Sequence, residues 1–156
     1  MVFGLHDEIH GTLVSYFDSR GIPALGFEGG RHESKEAVLS HLSILRLALV
    51  FTGILKEEDC PHFGRSMEVL ERSSQDLPRA HQVRYRHPVH PGDDFRMEPD
   101  LANFQPVRQN QLLARDRTGE IRSPRSGRIL MPLYQAQGDD GFFIIDSTEK
   151  PPRSKS

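Results

Sequence analysis

The chain contains no tryptophan and one cysteine, Cys60. A single thiol excludes a disulfide framework and a multi-cysteine zinc module. No apolar run approaches the roughly 18 residues that a membrane-spanning helix needs, so an integral helical membrane protein is excluded. The opening MVFGLHDEIH lacks the basic and apolar regions of a secretory signal. An excess of either charge is missing as well. Lys and Arg total 20 against 22 Asp and Glu, a formal net charge of -2, which argues against nucleic acid as a partner, since its binders are usually basic. What these absences leave is a protein expected to be soluble and cytoplasmic. Its 156 residues suit one domain or two small ones. Hydrophobic residues make up 36%, and 13 Gly with 11 Pro imply many turns.

Residues 1–55 read as a fragment of an α/β layer. Thr12 can cap a helix over Leu13–Arg20, with Gly21 at its left-handed end. Ile22-Pro23-Ala24-Leu25-Gly26-Phe27 is a short apolar run between turn signals, which predicts a buried strand starting at Pro23. Ser34 offers a second N-cap, with Glu36 in the first turn. Val38, Leu42, Leu45 and Leu49 follow at helical spacing and mark a buried face on a helix ending near Gly53, and Ile44, Leu47 and Phe51 widen it, so the helix is expected to be buried on more than one side. Helix, strand, helix needs further strands to complete a sheet.

Residues 56–79 are polar and read as a connector, in which Met67, Val69 and Leu70 are expected to form a short helical turn. From 80 to 147 the pattern becomes short alternating runs between turns, as in Asp116-Arg117-Thr118-Gly119 and Gly138-Asp139-Asp140-Gly141. Such spacing predicts a small antiparallel β barrel or sandwich. Residues 148–156 read as a disordered tail.

The sharpest local feature is Leu25-Gly26-Phe27-Glu28-Gly29-Gly30-Arg31-His32. A carboxylate, Glu28, sits where the expected strand ends, the position at which open α/β sheets bind ligands. Gly29 and Gly30 would let a substrate approach the backbone, and His32 helps to shape the site. Taken alone, these residues fit two descriptions: a half-buried general acid or base, or a solvated Glu in a glycine turn.

Gly11-Thr12-Leu13-Val14 through Gly30 and the Leu-rich helix resembles the later part of the catalytic domain of the succinylglutamate desuccinylase/aspartoacylase family, which is zinc-carboxypeptidase-like. Asn103-Phe104-Gln105-Pro106-Val107, Gly119-Glu120-Ile121, Gly127 to Tyr134 and Gly138 to Phe143 are similar to its C-terminal β domain. The match runs over roughly residues 11–145, and the order and spacing of individually weak motifs carry it. The resemblance implies zinc-dependent hydrolysis of an acidic acyl-amino-acid or related amide. Zinc would be held by two histidines and a glutamate, beginning with an H-x-x-E motif. A separate glutamate would act on the water's proton, and Glu28 matches it by motif. None of the eight histidines is followed three residues on by Glu, and the family's third ligand is also missing. The chain is therefore expected to be the C-terminal part of such an enzyme, without its zinc-binding half, binding no zinc alone. It would work with a complementary metal-binding half or as a homo-oligomer. The alternative is a non-catalytic β module for oligomerisation or partner binding.

Other motifs stand beside these. His6 and His10, at i and i+4, would share a helical face and could hold a metal. The hairpin pattern from Gly119 to Tyr134 looks similar to biotinyl and lipoyl domains, but no lysine lies between Lys56 and Lys150 to carry a group. Residues 101–137 hold six arginines against two carboxylates, a local excess of four positive charges. Some of these could attract an acidic substrate, while most read as a solvated surface. Tyr134 and Phe142 are candidates for a substrate entrance or for the core.

Overall fold

The structure is a computed structural model that describes residues 1–9, 11–30 and 34–148. The expected tail, apart from Thr148, lies outside these residues, as do His10 and His32. The fold is of a general α/β kind, with helices and two separate sheets. Met1–Ser15 joins the chain from Pro78 onward in one compact unit, and Tyr16–Leu77 forms a second. The first fifteen residues thus cluster with the β strands rather than with the α/β segment to which the sequence reading attached them.

The first unit opens with strand β1 (Val2–Phe3) and a one-turn helix, α1 (Leu5–Glu8). It resumes with β2 (His81–Pro88), β3 (Arg96–Met97), β4 (Pro106–Val107), β5 (Leu112–Asp116), β6 (Gly119–Arg122), β7 (Gly127–Leu130) and β8 (Asp140–Ser147). Five strands form one sheet in the order β1-β2-β8-β7-β4, and three form another, β3-β5-β6. β1 runs parallel to β2, and the remaining ladders are antiparallel.

The barrel alternative is not what forms, because neither sheet closes. The edge strands β1, β3 and β4 have two residues each. Closure requires every edge to be paired, and such short edges offer few backbone groups for it.

The run Phe142-Phe143-Ile144-Ile145 is apolar throughout because β8 is central and both its faces are covered. Phe142 and Ile144 join Leu101, Val107, Leu113, Ala114 and Ile129 in a core shared with the three-stranded sheet. Phe143 and Ile145 join Val83 and Leu130 on the other face, under Val2, Leu5 and Ile9. Each such side chain contributes about 1.5–3 kcal/mol on burial. The Asp116–Gly119 turn is closed by the Asp116 carboxylate, which accepts from the Thr118 amide at 2.7 Å and from the Gly119 amide at 3.1 Å.

The helices obey the expected caps. Helix α2 (Leu13–Asp18) follows Thr12, whose hydroxyl accepts from the Ser15 amide at 3.1 Å, and Gly21 at φ 67 ends its last turn. Helix α3 (Lys35–Phe51) starts at Ser34, which accepts from the Ala37 amide at 3.1 Å, and Gly53 follows at φ 76.

Two expectations change in the second unit. The short helical turn expected around Met67, Val69 and Leu70 is a twelve-residue helix, α4 (Phe63–Ser74), packed on α3. The α3 face predicted to be buried is the exposed one: Val38 and Leu45 are 65% and 62% exposed, and Leu42 and Leu49 also face solvent. Leu47 of the widened face is buried as expected, together with Ala37 and Ser43, while Phe51 is exposed. Small residues, Ser43 on α3 and Ser66 on α4, are almost fully buried in this unit, whereas the leucine stripe is exposed. No helix among the described residues is long and apolar enough to cross a membrane.

Candidate functional site

Glu28 lies in the stretch between α2 and α3. The Ile22 amide donates to the Phe17 carbonyl at 3.0 Å, so the chain leaves α2 through a closed turn around Gly21. Residues 22–29 then carry no helix or strand assignment, and no ladder partner joins them among the described residues. The buried strand predicted over Ile22–Phe27 is therefore corrected. Ile22 is 48% and Leu25 65% exposed, because an apolar run becomes a buried strand only when neighbouring strands receive its backbone groups. Glu28 is exposed rather than half-buried.

The segment is tied to α3 by its neighbours. The Phe27 ring meets the His41 ring edge to face, with centroids 5.2 Å apart and planes at 90°. At Gly29 a Cβ would overlap the His41 ring and approach the Ala37 carbonyl oxygen to 2.9 Å. The His41 ring is itself held, with Nδ1 lying 2.8 Å from that same Ala37 carbonyl. A carbonyl only accepts, so Nδ1 carries the proton and Nε2 is the acceptor of the neutral ring. Gly29 is thus required by a side chain packed against the backbone. Gly30, at φ 115, adopts a conformation that L side chains rarely take, with open space where its Cβ would lie apart from Ala37 Cβ at 3.8 Å. Of the predicted site residues, Glu28, Gly29 and Gly30 are contiguous over the start of α3, while His32 lies outside the described residues.

Of the His6/His10 pair, only His6 lies among the described residues, on α1. Helix α1 ends at Glu8 and Ile9 is extended, at φ -104 and ψ 104. His10 lies outside the described residues. Among the described residues no group of three His, Cys, Asp or Glu could hold a metal ion. The donor set present therefore does not fit the zinc that the family resemblance implies.

The arginine excess is largely compensated. Arg115 pairs with Glu98 at 3.1 Å and Glu120 at 3.0 Å, Arg122 with Glu120 at 2.6 Å, Arg125 with Asp146 at 2.7 Å and Arg117 with Asp93 at 3.8 Å. Arg128 donates to the Phe104 carbonyl at 2.8 Å. Phe142 is fully buried and belongs to the core. Tyr134 is exposed, with its hydroxyl accepting from the Leu101 amide and donating to the Glu98 carbonyl, both at 2.8 Å. Its ring lines an open pocket of about 450 Å³ with Met97, Pro99 and Asp100. Cys60 is buried, with Sγ 3.9 Å from the Arg46 carbonyl.

Sequence reasoning missed two histidines on β2. The His87 ring stacks on Phe142 and Phe95, and the Tyr85 hydroxyl lies 3.1 Å from its Nδ1. Burial pushes the His87 pKa down, while Asp116 and then Asp93 pull the other way. His81 is 1% exposed, and neither ring nitrogen has a hydrogen-bond partner among the described residues. Its pKa is lowered by burial first, then by the N-terminal ammonium and Arg128. Tyr85 and His87 sit at i and i+2 of an alternating run, and that spacing was the available signal.

No protein-family model matches the chain, and no curated protein matches it.

Proposed function

We propose that this chain supplies the general-base glutamate and the C-terminal β unit of a zinc-dependent amidohydrolase resembling succinylglutamate desuccinylase and aspartoacylase, acting on N-acyl amino acids with an acidic group. One observation supports this above the others. An apolar stretch without strand partners among the described residues, 22–27, precedes a helix, α3, whose Val38/Leu42/Leu45/Leu49 stripe is exposed. That is the appearance of a strand and a helix whose sheet is supplied by other residues. In this reading a complementary metal-binding half covers both, and the metal belongs to that half, since the described residues here do not fit it.

The chemistry assigned to this chain is proton transfer. Glu28 accepts a proton from the attacking water as its oxygen bonds to the acyl carbon. It then gives that proton to the nitrogen as the C–N bond breaks, leaving a carboxylic acid and a free amine. Its exposure leaves the carboxylate accessible to a substrate held by the other half.

The test is assembly in trans. The full chain is combined with the zinc-binding half of a family member that carries H-x-x-E. Bound zinc and amine release from N-acetyl- and N-succinyl-amino acids are then measured. Hydrolysis that falls about 10²–10⁴-fold in Glu28→Gln, with zinc retained, is the expected result. A Glu28→Gln assembly as active as the parent removes Glu28 from the chemistry. The exposed α3 stripe also suits a second reading, a non-catalytic partner-binding protein. That reading predicts a complex which forms through α3 and shows no hydrolysis.

A further inference from the structure

We propose that His41 is a positioning residue that sets the direction in which Glu28 points. The inference rests on the hydrolase reading for its catalytic consequence, but the latch itself is a property of this chain. Phe27 and Gly29 both touch the His41 ring, one by an edge contact and the other through the absence of a Cβ. The Phe27 ring and the Cβ direction of Gly29 both face His41 on α3, while Glu28 between them is exposed.

His41 can serve as a fixed wall because its own ring is anchored. The bond from Nδ1 to the Ala37 carbonyl spans one turn of α3. Ala37 is in turn held at the helix start, where its amide donates to the Ser34 hydroxyl at 3.1 Å. A chain of contacts thus runs from the Ser34 cap through Ala37 and His41 to the backbone on either side of Glu28. Any side chain at position 29 would collide with the ring and the Ala37 carbonyl. Positions 29 and 41 are therefore matched to each other, glycine on one side and a planar ring on the other.

The test is a double-mutant cycle on the full chain, read by amide NMR. Gly29→Ala alone is expected to shift the Glu28 and Gly30 resonances strongly. In the His41→Ala background the same substitution is expected to cause a smaller shift, because the closer collision, with the ring, is gone and only the approach to the Ala37 carbonyl at 2.9 Å remains. Compensation of this kind separates a latch from general destabilisation, in which two defects would add. His41→Phe keeps a ring but loses the Nδ1 donor, and should retain part of the sensitivity to Gly29→Ala. Additive shifts, or a folded His41→Ala chain with unmoved Glu28 and Gly30 resonances, overturn the proposal.

The assembled hydrolase gives the second readout. Displacing a catalytic group by about 1 Å can cost about 10²-fold. Gly29→Ala should therefore lower kcat by about that factor with KM and zinc content little changed. Adding His41→Ala should recover part of the loss. Compensation by NMR without hydrolysis in any assembly would support the latch and remove the hydrolase reading. Hydrolysis that Gly29→Ala and His41→Ala reduce additively would keep the enzyme and remove the latch.

Discussion

The His87 imidazole lies parallel to the Phe142 ring, with centroids 5.1 Å apart and 6° between the planes. Phe142 is at the centre of the unit's core, so a titratable ring is built into the packing that holds β2 on β8. The Tyr85 hydroxyl, Asp116 and Asp93 are the polar groups that face it, and Asp93 also pairs with Arg117.

This placement makes stability pH-dependent. Burial lowers the folded pKa of His87, and burial with two neighbouring cations lowers that of His81. The unfolded imidazoles titrate near about 6.5. Below that value the unfolded chain binds more protons than the folded one. The stability contributed by neutral burial is therefore fully present above about pH 6.5 and is lost as pH falls toward the lowered folded values. Urea midpoints should drop between about pH 7.5 and about pH 5.5, the range in which unperturbed histidine titrates. His87→Phe should flatten the drop in part and leave the share of His81. A midpoint that rises on acidification would count against both assignments.

Gly127 packs against β8 without room for a side chain. A Cβ there would lie 2.7 Å from the Ile145 carbonyl oxygen and 2.8 Å from Ile144 Cγ2. Gly127→Ala should destabilise the β unit by about 1–3 kcal/mol through overpacking. The expected signature in urea is a lowered midpoint with an unchanged slope. A neutral substitution would show that β7 can move away from β8.

Two leucines on α3 should behave oppositely. Leu47 is 5% exposed, and Leu47→Ala should cost about 2–5 kcal/mol. Leu45 is 62% exposed, and Leu45→Gln should change the stability of the chain alone by no more than about 0.5 kcal/mol. The same Leu45→Gln should weaken assembly with the metal-binding half, measured by co-purification or titration calorimetry. Equal stability losses at the two positions would mean that the stripe is covered within this chain.

Local signals in the sequence translated directly into local structure. Ser34 and Thr12 cap helices because a hydroxyl one residue before a helix reaches its free amides, whatever lies around it. Gly21 and Gly53 end helices because a left-handed residue costs least without a Cβ. The alternation in His81 to Arg86, the Asp116–Gly119 turn and the continuous apolar run of β8 likewise mark real strands and a real turn. Helix α4 was harder to see. Phe63, Met67 and Leu70 are helically spaced, but its remaining residues are mostly polar or charged, so the segment resembled a connector.

What remained undecided was which surfaces meet. A strand is defined by its neighbours, so Ile22–Phe27 could not become one without another ladder. An apolar stripe states that a helix face can be buried, not that it is, and α3 packs on α4 while its leucine stripe stays exposed. The arginine excess between residues 101 and 137 is largely compensated for a similar reason. Glu98, Asp93 and Asp146 lie outside that window in sequence and reach Arg115, Arg117 and Arg125 in space. The sequence by itself determined the caps, the turns, the β pattern and the position of Glu28 between two elements. Tertiary structure alone decided that Gly29 makes room for His41 and that His87 stacks on Phe142. Caps and turns depend on atoms a few residues apart along one chain. Burial and ring contacts depend on segments that only folding brings together.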